Sequence, residues 1–179
     1  MKLAVGAVAA GVLIGVVGMV DFEATMHFTS TDAFCGESCH EMSIPTAALQ
    51  RTRHHRNVHG VSVGCSDCHI PEAFVPKMLR KIEASREVWG HFTGLIDTPE
   101  KYAAHRPAMQ AREIARIKAN GSQECRNCHS IERMELAGQD RAVQRYHRGM
   151  DQRGKTCIDC HAGLAHPTQP ASAADTVGE

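Results

Sequence analysis

Eight cysteines and twelve histidines constrain this chain more than any hydrophobic pattern does. The cysteines stand as four pairs, Cys35/Cys39, Cys65/Cys68, Cys125/Cys128 and Cys157/Cys160. Each second cysteine is followed at once by a histidine: His40, His69, His129 and His161. Three pairs read C-x-x-C-H in full, as CSDCH, CRNCH and CIDCH, the spacing of covalent c-type haem attachment. Two thioethers anchor the porphyrin edge, and the adjacent histidine is thereby set under the iron as an axial ligand. Zinc ribbons and disulfide frameworks also use paired cysteines, but neither requires a histidine after every pair. The pattern predicts four covalently bound haems, at 35–40, 65–69, 125–129 and 157–161. The first site departs from the rule, since Gly36, Glu37 and Ser38 separate its cysteines. Gly36 can loop out the extra residue; a single thioether through Cys39 is the alternative.

With only eight aromatic residues in 179, the chain outside its N-terminus cannot build a large conventional core, and chains this poor in core rely on staples or large cofactors. The expected fold is mainly α with low secondary-structure content, helical segments and loops wrapped around porphyrin faces. Val75–Trp89 and Pro99–Lys118 carry apolar positions at helical spacing, and Asn120-Gly121 stops the second of these helices. No strand-like alternation stands out. The sites divide into two halves, His40 to His69 and His129 to His161, separated by about 55 residues without cysteine, which suggests two di-haem units. Twenty basic residues balance twenty acidic ones, which argues against a nucleic-acid partner.

Leu3–Val20 contains no charge. Its 18 residues span about 27 Å as a helix, enough for a bilayer core of about 30 Å. Small residues in AVAAG admit a cleaved signal peptide, but they lie in the middle of the run, and a retained anchor over 1–21 is the preferred reading. Lys2 places the N-terminus in the cytoplasm. Haem attachment takes place beyond the bacterial inner membrane, so residues 22–179 form a periplasmic domain. Gly11 and Gly15 make a G-x-x-x-G, the spacing of close helix pairs in membranes, and suggest a homodimer contact.

Low-spin haems need a second axial ligand, and eight further histidines could supply it: His27, His54, His55, His59, His91, His105, His147 and His166. His166 follows His161 too closely to share its iron and is placed to reach a neighbouring haem. At least one of His54, His55 and His59 should be a ligand. His27, His91 and His105 read at least as well as surface or hydrogen-bonding residues.

The stretches FVPKMLRKIEASREVWG, GLIDTPEKYAAHR, SQECRNCH and TCIDCHAGLAH are more specific than the haem motifs. Through them the chain resembles the NapC/NirT family of membrane-anchored tetrahaem quinol dehydrogenases, from the anchor to Pro167. The resemblance implies oxidation of membrane quinol at the first haem. It also implies transfer to a periplasmic reductase or its cytochrome subunit: nitrate reductase first, with nitrite, trimethylamine oxide or dimethyl sulfoxide reductases as alternatives. A passive carrier between another membrane complex and such a reductase is the rival reading. The family pattern puts His54 opposite His161, with His55 and His59 in reserve, His166 opposite His129, and His147 opposite His69. A related branch, which feeds cytochrome c nitrite reductase, takes its first-haem ligand from the position of Met42. That branch sets a carboxylate at the position of Glu87 on the opposite side, with Lys81 near the quinol. A carboxylate in apolar surroundings can have a raised pKa and accept the quinol proton; an ion pair with Arg86 or Arg80 is the plainer role for Glu87. The extra residue in the first motif leaves its axial ligand open, with Met42 preferred over His40 because a weakly ligated iron suits quinol oxidation.

Overall fold

α1 (Lys2–Phe28) is one unbroken helix of 27 residues in the computed structural model of the chain, which describes residues 1–167. Its apolar window has a mean hydropathy of 2.5 and no buried residue, as expected of a helix whose surroundings are lipid rather than protein. The helix does not end with the apolar run. It continues through Asp21 and Glu23 to Phe28, so residue 21 lies inside a helix and not at its end.

The rest is built from short helices and two long ones. α2 (Asp32–Glu37) starts where the Thr31 side chain accepts from the Phe34 N–H at 3.2 Å, and a 3-10 turn over His40–Met42 leads into α3 (Ser43–Gln50). α4 (Cys65–His69), α7 (Gln123–Arg126) and α9 (Ile158–His161) each carry haem-motif residues, and α8 (Arg141–Arg148) precedes the last. α5 (Phe74–Phe92) and α6 (Pro99–Ala119) are the two long helices the periodicity predicts, slightly longer at their ends. Thr98 caps α6 by accepting from the Lys101 N–H at 3.3 Å, with Pro99 in the first turn, where a missing N–H costs nothing. Gly121, at φ +71°, terminates α6. No strand occurs among the described residues.

Few apolar side chains are buried: Leu49, Ile96, Tyr102, Ile117, Met150 and Ile158. Polar ties do much of the joining instead. Ser122 holds a left-handed conformation (φ 57°) and is wholly buried, with its Oγ accepting from the Ile158 N–H at 3.2 Å. That strained residue links the turn after α6 to the fourth motif. Asp32 accepts from the Cys65 N–H at 2.7 Å and so joins the first motif region to the second.

The anchor is tied to the domain by Lys81 on α5. Its Nζ donates to Thr29 Oγ1 (2.6 Å), the Thr29 carbonyl (3.0 Å) and the Met26 carbonyl (3.3 Å). These groups lie at the C-terminal end of α1, where orphan carbonyls and the helix dipole favour a cation. Phe22 and Phe74 add a ring contact at 6.4 Å.

Candidate functional site

In a helical turn, residues three and four apart share one face, so C-x-x-C-H written on a helix presents two thiols together. α4 contains the whole second motif. The first motif obeys the same rule with a different spacing: Cys35 lies in α2 and Cys39 just beyond it, four residues on. Gly36 is not looped out. It is buried within α2, and a Cβ there would come within 2.7 Å of Thr46 Oγ1. The extra residue is absorbed by the helical turn, and the glycine is needed for close approach to α3 rather than for backbone freedom.

The eight cysteines form no disulfide, and neighbouring motifs bring cysteines together in chain order. Cys35 lies near Cys65, Cys68 near Cys128, and Cys125 within hydrogen-bonding reach of Cys157. Burial, reinforced by Asp32, pushes the Cys65 thiol up to about 12, and burial beside Cys157 pushes Cys125 up to about 11. The motifs form one continuous series.

The two cysteines of a motif are not always equally enclosed. Cys128 and Cys160 are exposed, whereas the other six are half-buried. The third and fourth motifs share this contrast. α9 is a single turn that packs against α6 and buries Ile158, which leaves Cys160 in solvent while Cys157 faces Cys125.

Every motif histidine faces one histidine from outside the motifs. Ring centroids are 6.2 Å apart for His54 and His129, 6.1 Å for His69 and His166, 6.3 Å for His147 and His161, and 5.8 Å for His40 and His91. Two imidazole nitrogens each about 2 Å from one iron, with ring centres about 1.1 Å further out, would place the centroids about 6.2 Å apart. The rings are therefore spaced for one iron between each pair, and the residues fit haem.

The pairing differs from the family-based expectation at all three predicted partnerships. His54 stands opposite His129, not His161. His166 stands opposite His69, not His129, and His147 opposite His161, not His69. Three contacts explain the exchange. α4 packs against α7, which carries the loop before α4, with His54 in it, to the third motif. The segment after α9 returns along α6, where Gln110 donates to the carbonyls of His166 (3.4 Å) and Pro167 (3.0 Å). α6 also carries Glu113, which accepts from His69 Nδ1 at 2.8 Å, so His166 and His69 meet there. His147 reaches the fourth motif through the turn at Gly149–Gly154, closed by a bond from the Lys155 N–H to the Met150 carbonyl at 3.1 Å. Two of these pairs cross between the halves, which are interlocked.

Neighbouring acceptors orient several rings. His69 donates from Nδ1 to Glu113, His147 from Nδ1 to Gln139 Oε1 (2.7 Å) and His91 from Nδ1 to Glu41 Oε1 (2.5 Å), leaving Nε2 as the free nitrogen, the arrangement that sets the tautomer of metal-binding histidines. Burial lowers His166 to about 4, with His69 and Arg106 adding to the effect, and its Nδ1 is buried without a partner. Burial, then His129, likewise lowers His54. Glu113 is held by Arg80 (3.2 Å) and Arg116 (2.8 Å) as well as His69. Burial alone would raise it, but the bonds from His69 and Arg116 carry it down to about 2.

The remaining candidates are placed as follows. His55 lies 3.2 Å from Ser62 Oγ and His59 is exposed; neither faces a motif histidine. Met42 closes the 3-10 turn that His40 opens. Glu87 is partly exposed and pairs with Arg112 at 3.1 Å, not with Arg86 or Arg80. It lines a groove with Arg80, Glu83, Arg86, Arg112, Glu113 and Arg116, so its surroundings are ionic and not apolar. The buried carboxylate beside His40 is Glu41, with Oε1 3.5 Å from His40 Nε2. Glu41 was missed by sequence reasoning, and His91, one of the eight candidate histidines, read there at least as well as a surface or hydrogen-bonding residue. For His91 one signal was available: it lies one turn beyond Glu87 on α5, on the face already suspected of reaching the first haem.

Cysteine pairs with an adjacent histidine, each faced by a second histidine and carried beneath one apolar helix, define a membrane-anchored c-type cytochrome with covalently bound haem. The comparisons give the particular family. Residues 1–171 match the family model described as the NapC/NirT cytochrome c family, N-terminal region. The chain is 45% identical to the cytochrome c-type protein NapC of Haemophilus influenzae over 85% of this chain and 75% of that one. It is 44% identical to NapC of Escherichia coli K12 over 92% and 83%, and 41% identical to the denitrification system component NirT of Stutzerimonas stutzeri over 90% and 80%. No solved structure matches. The chain belongs to the NapC/NirT cytochrome c family.

Proposed function

We propose that this chain is an inner-membrane tetrahaem cytochrome that oxidises membrane quinol and passes the electrons to a periplasmic reductase, nitrate reductase first among the candidates. The observation that carries the reading is the order of the sites. The first motif adjoins the end of the membrane helix, where Phe28 and Phe34 rings meet at 5.4 Å and Lys81 acts on Cys35. The other three follow in chain order, each motif with a cysteine beside one of the next. Haem supplies one-electron redox chemistry, and the protein contributes position and electrostatics. The denitrification relative favours nitrate or nitrite reductase over trimethylamine oxide or dimethyl sulfoxide reductase as acceptor.

Lys2 at the N-terminus orients the chain with its haem domain in the periplasm. Gly11 and Gly15 keep the G-x-x-x-G spacing along the unbroken helix α1, which supports close pairing of two anchors in a homodimer. Lys81, at the junction of α1 and α5, is the basic residue of the quinol site, and Glu87 is the proposed proton acceptor. The second reading, a passive carrier, draws on His91: a first haem with two histidines has no open position. Adding a quinol analogue to the full chain in detergent separates the two. Appearance of the reduced c-type alpha band with quinol alone, slowed in Glu87→Ala, supports quinol oxidation at that site. Haems left oxidised by quinol support the carrier.

A further inference from the structure

We infer that His91 is the second axial ligand of the first haem, opposite His40, and that Glu41 is the residue that positions it. The assignment rests on reading Cys35–His40 as a haem-attachment site. Three observations support it. The His40 and His91 rings repeat, at 5.8 Å, the spacing of the other three motif pairs. His91 Nδ1 donates to Glu41 Oε1 at 2.5 Å, as His69 does to Glu113 and His147 to Gln139, so Nε2 is the nitrogen left for the iron. Glu41 itself is 4% exposed and its Oε2 is buried without a partner. A carboxylate is costly to bury unless it is bonded; its Oε1 takes the His91 bond and also lies 3.5 Å from His40 Nε2, so one oxygen touches both rings of the pair. His91 is held in turn by α5, next to buried Gly90, whose carbonyl accepts from the Leu95 N–H at 2.8 Å.

Met42 is thereby left out of the iron's coordination, and no quinol oxygen needs to enter it. Quinol would donate from outside the coordination shell.

Near-infrared magnetic circular dichroism of the oxidised full chain in detergent, without quinol, tests the assignment on the native protein. Four histidine–histidine haems are expected. A histidine–methionine band or a high-spin haem in the native protein would overturn the assignment. In His91→Ala one haem in four turns high-spin, and added imidazole restores it, whereas Met42→Leu changes nothing. If His91→Ala does not accumulate, His91→Met should show one new histidine–methionine band; its absence counts against the assignment. Glu41→Gln keeps the ligands but raises the reduction potential of one haem alone, since an amide polarises the ring less than a carboxylate; four unmoved potentials would remove Glu41's positioning role. The spectra need no quinol, so loss of quinol oxidation leaves them unchanged. A chain that oxidises quinol with Met42 on the iron refutes this assignment only.

Discussion

Replacing Arg116 by methionine keeps the bulk of the side chain and removes its charge and donors. In the native fold Arg116 donates to Glu124 at 2.8 Å, to Glu113 at 2.8 Å and 3.1 Å, and to the Cys68 carbonyl at 3.2 Å. It joins α6, α7 and the second motif from a side chain only 18% exposed. Glu124, with a side chain 3% exposed, would keep only its bonds from Asn120 at 2.9 Å. Glu113 would keep Arg80 and His69. Breaking a buried ion pair by deleting one partner costs about 3–5 kcal/mol. The retained bonds place this case at the lower end, about 3 kcal/mol, or roughly 6–12 °C in Tm for a chain of this size. Thermal unfolding of the haem-loaded protein in detergent, followed by far-ultraviolet circular dichroism, reads the shift. Arg116→Met combined with Glu124→Gln should recover part of it, because the stranded charge is gone. A shift under about 2 °C in the single variant, or a double variant no better than the single, would refute the reasoning.

Glu124 also predicts a pH dependence. Although burial works against its charge, Arg116 and Asn120 hold its carboxyl below the usual 4.5. A depressed carboxyl stabilises the fold fully above its unfolded value and loses that contribution as pH falls through the folded one. Tm should therefore decline as pH drops below about 4.5, and Glu124→Gln should flatten the decline. Lys81→Met removes three bonds at the end of α1, of which the bond to Thr29 Oγ1 is 2.6 Å. With about 1.5 kcal/mol lost, amide exchange over Thr29–Thr31 should quicken about tenfold, and unchanged exchange would remove Lys81 as the tie between anchor and domain. Gly36→Val drives a side chain into Thr46 and should cost about 1–3 kcal/mol. The haem count should fall from four per chain to three, and four haems at native stability would show that α2 and α3 can part without loss.

What could be read in the sequence was local. The four motifs, the anchor and the limits of α5 and α6 each depend on residues within a few turns of one another, and there spacing and composition suffice. The histidine pairing depends on which helices pack together. His54 and His129 are 75 residues apart, and nothing near either distinguishes one iron from another until α4 lies on α7. His91 was hidden for a similar reason. A single histidine in a helix looks like a surface residue until the 3-10 turn carrying Glu41 folds against it. Gly36 was noticed for the wrong property, since flexibility and closeness call for the same residue and only the position of Thr46 separates them. Glu87 was matched by family register, whereas its partner Arg112 comes from the neighbouring long helix.

Direct reduction by quinol is the property on which the proposed function stands or falls. The purified full chain, in detergent and without any other membrane complex, should be mixed anaerobically with a menaquinol or ubiquinol analogue and followed by its visible spectrum. The reduced c-type alpha band should appear with quinol alone, and four haems per chain should be present by haem assay. If quinol leaves the oxidised spectrum unchanged while a strong chemical reductant reduces all the haem, the chain is a carrier and does not oxidise quinol itself.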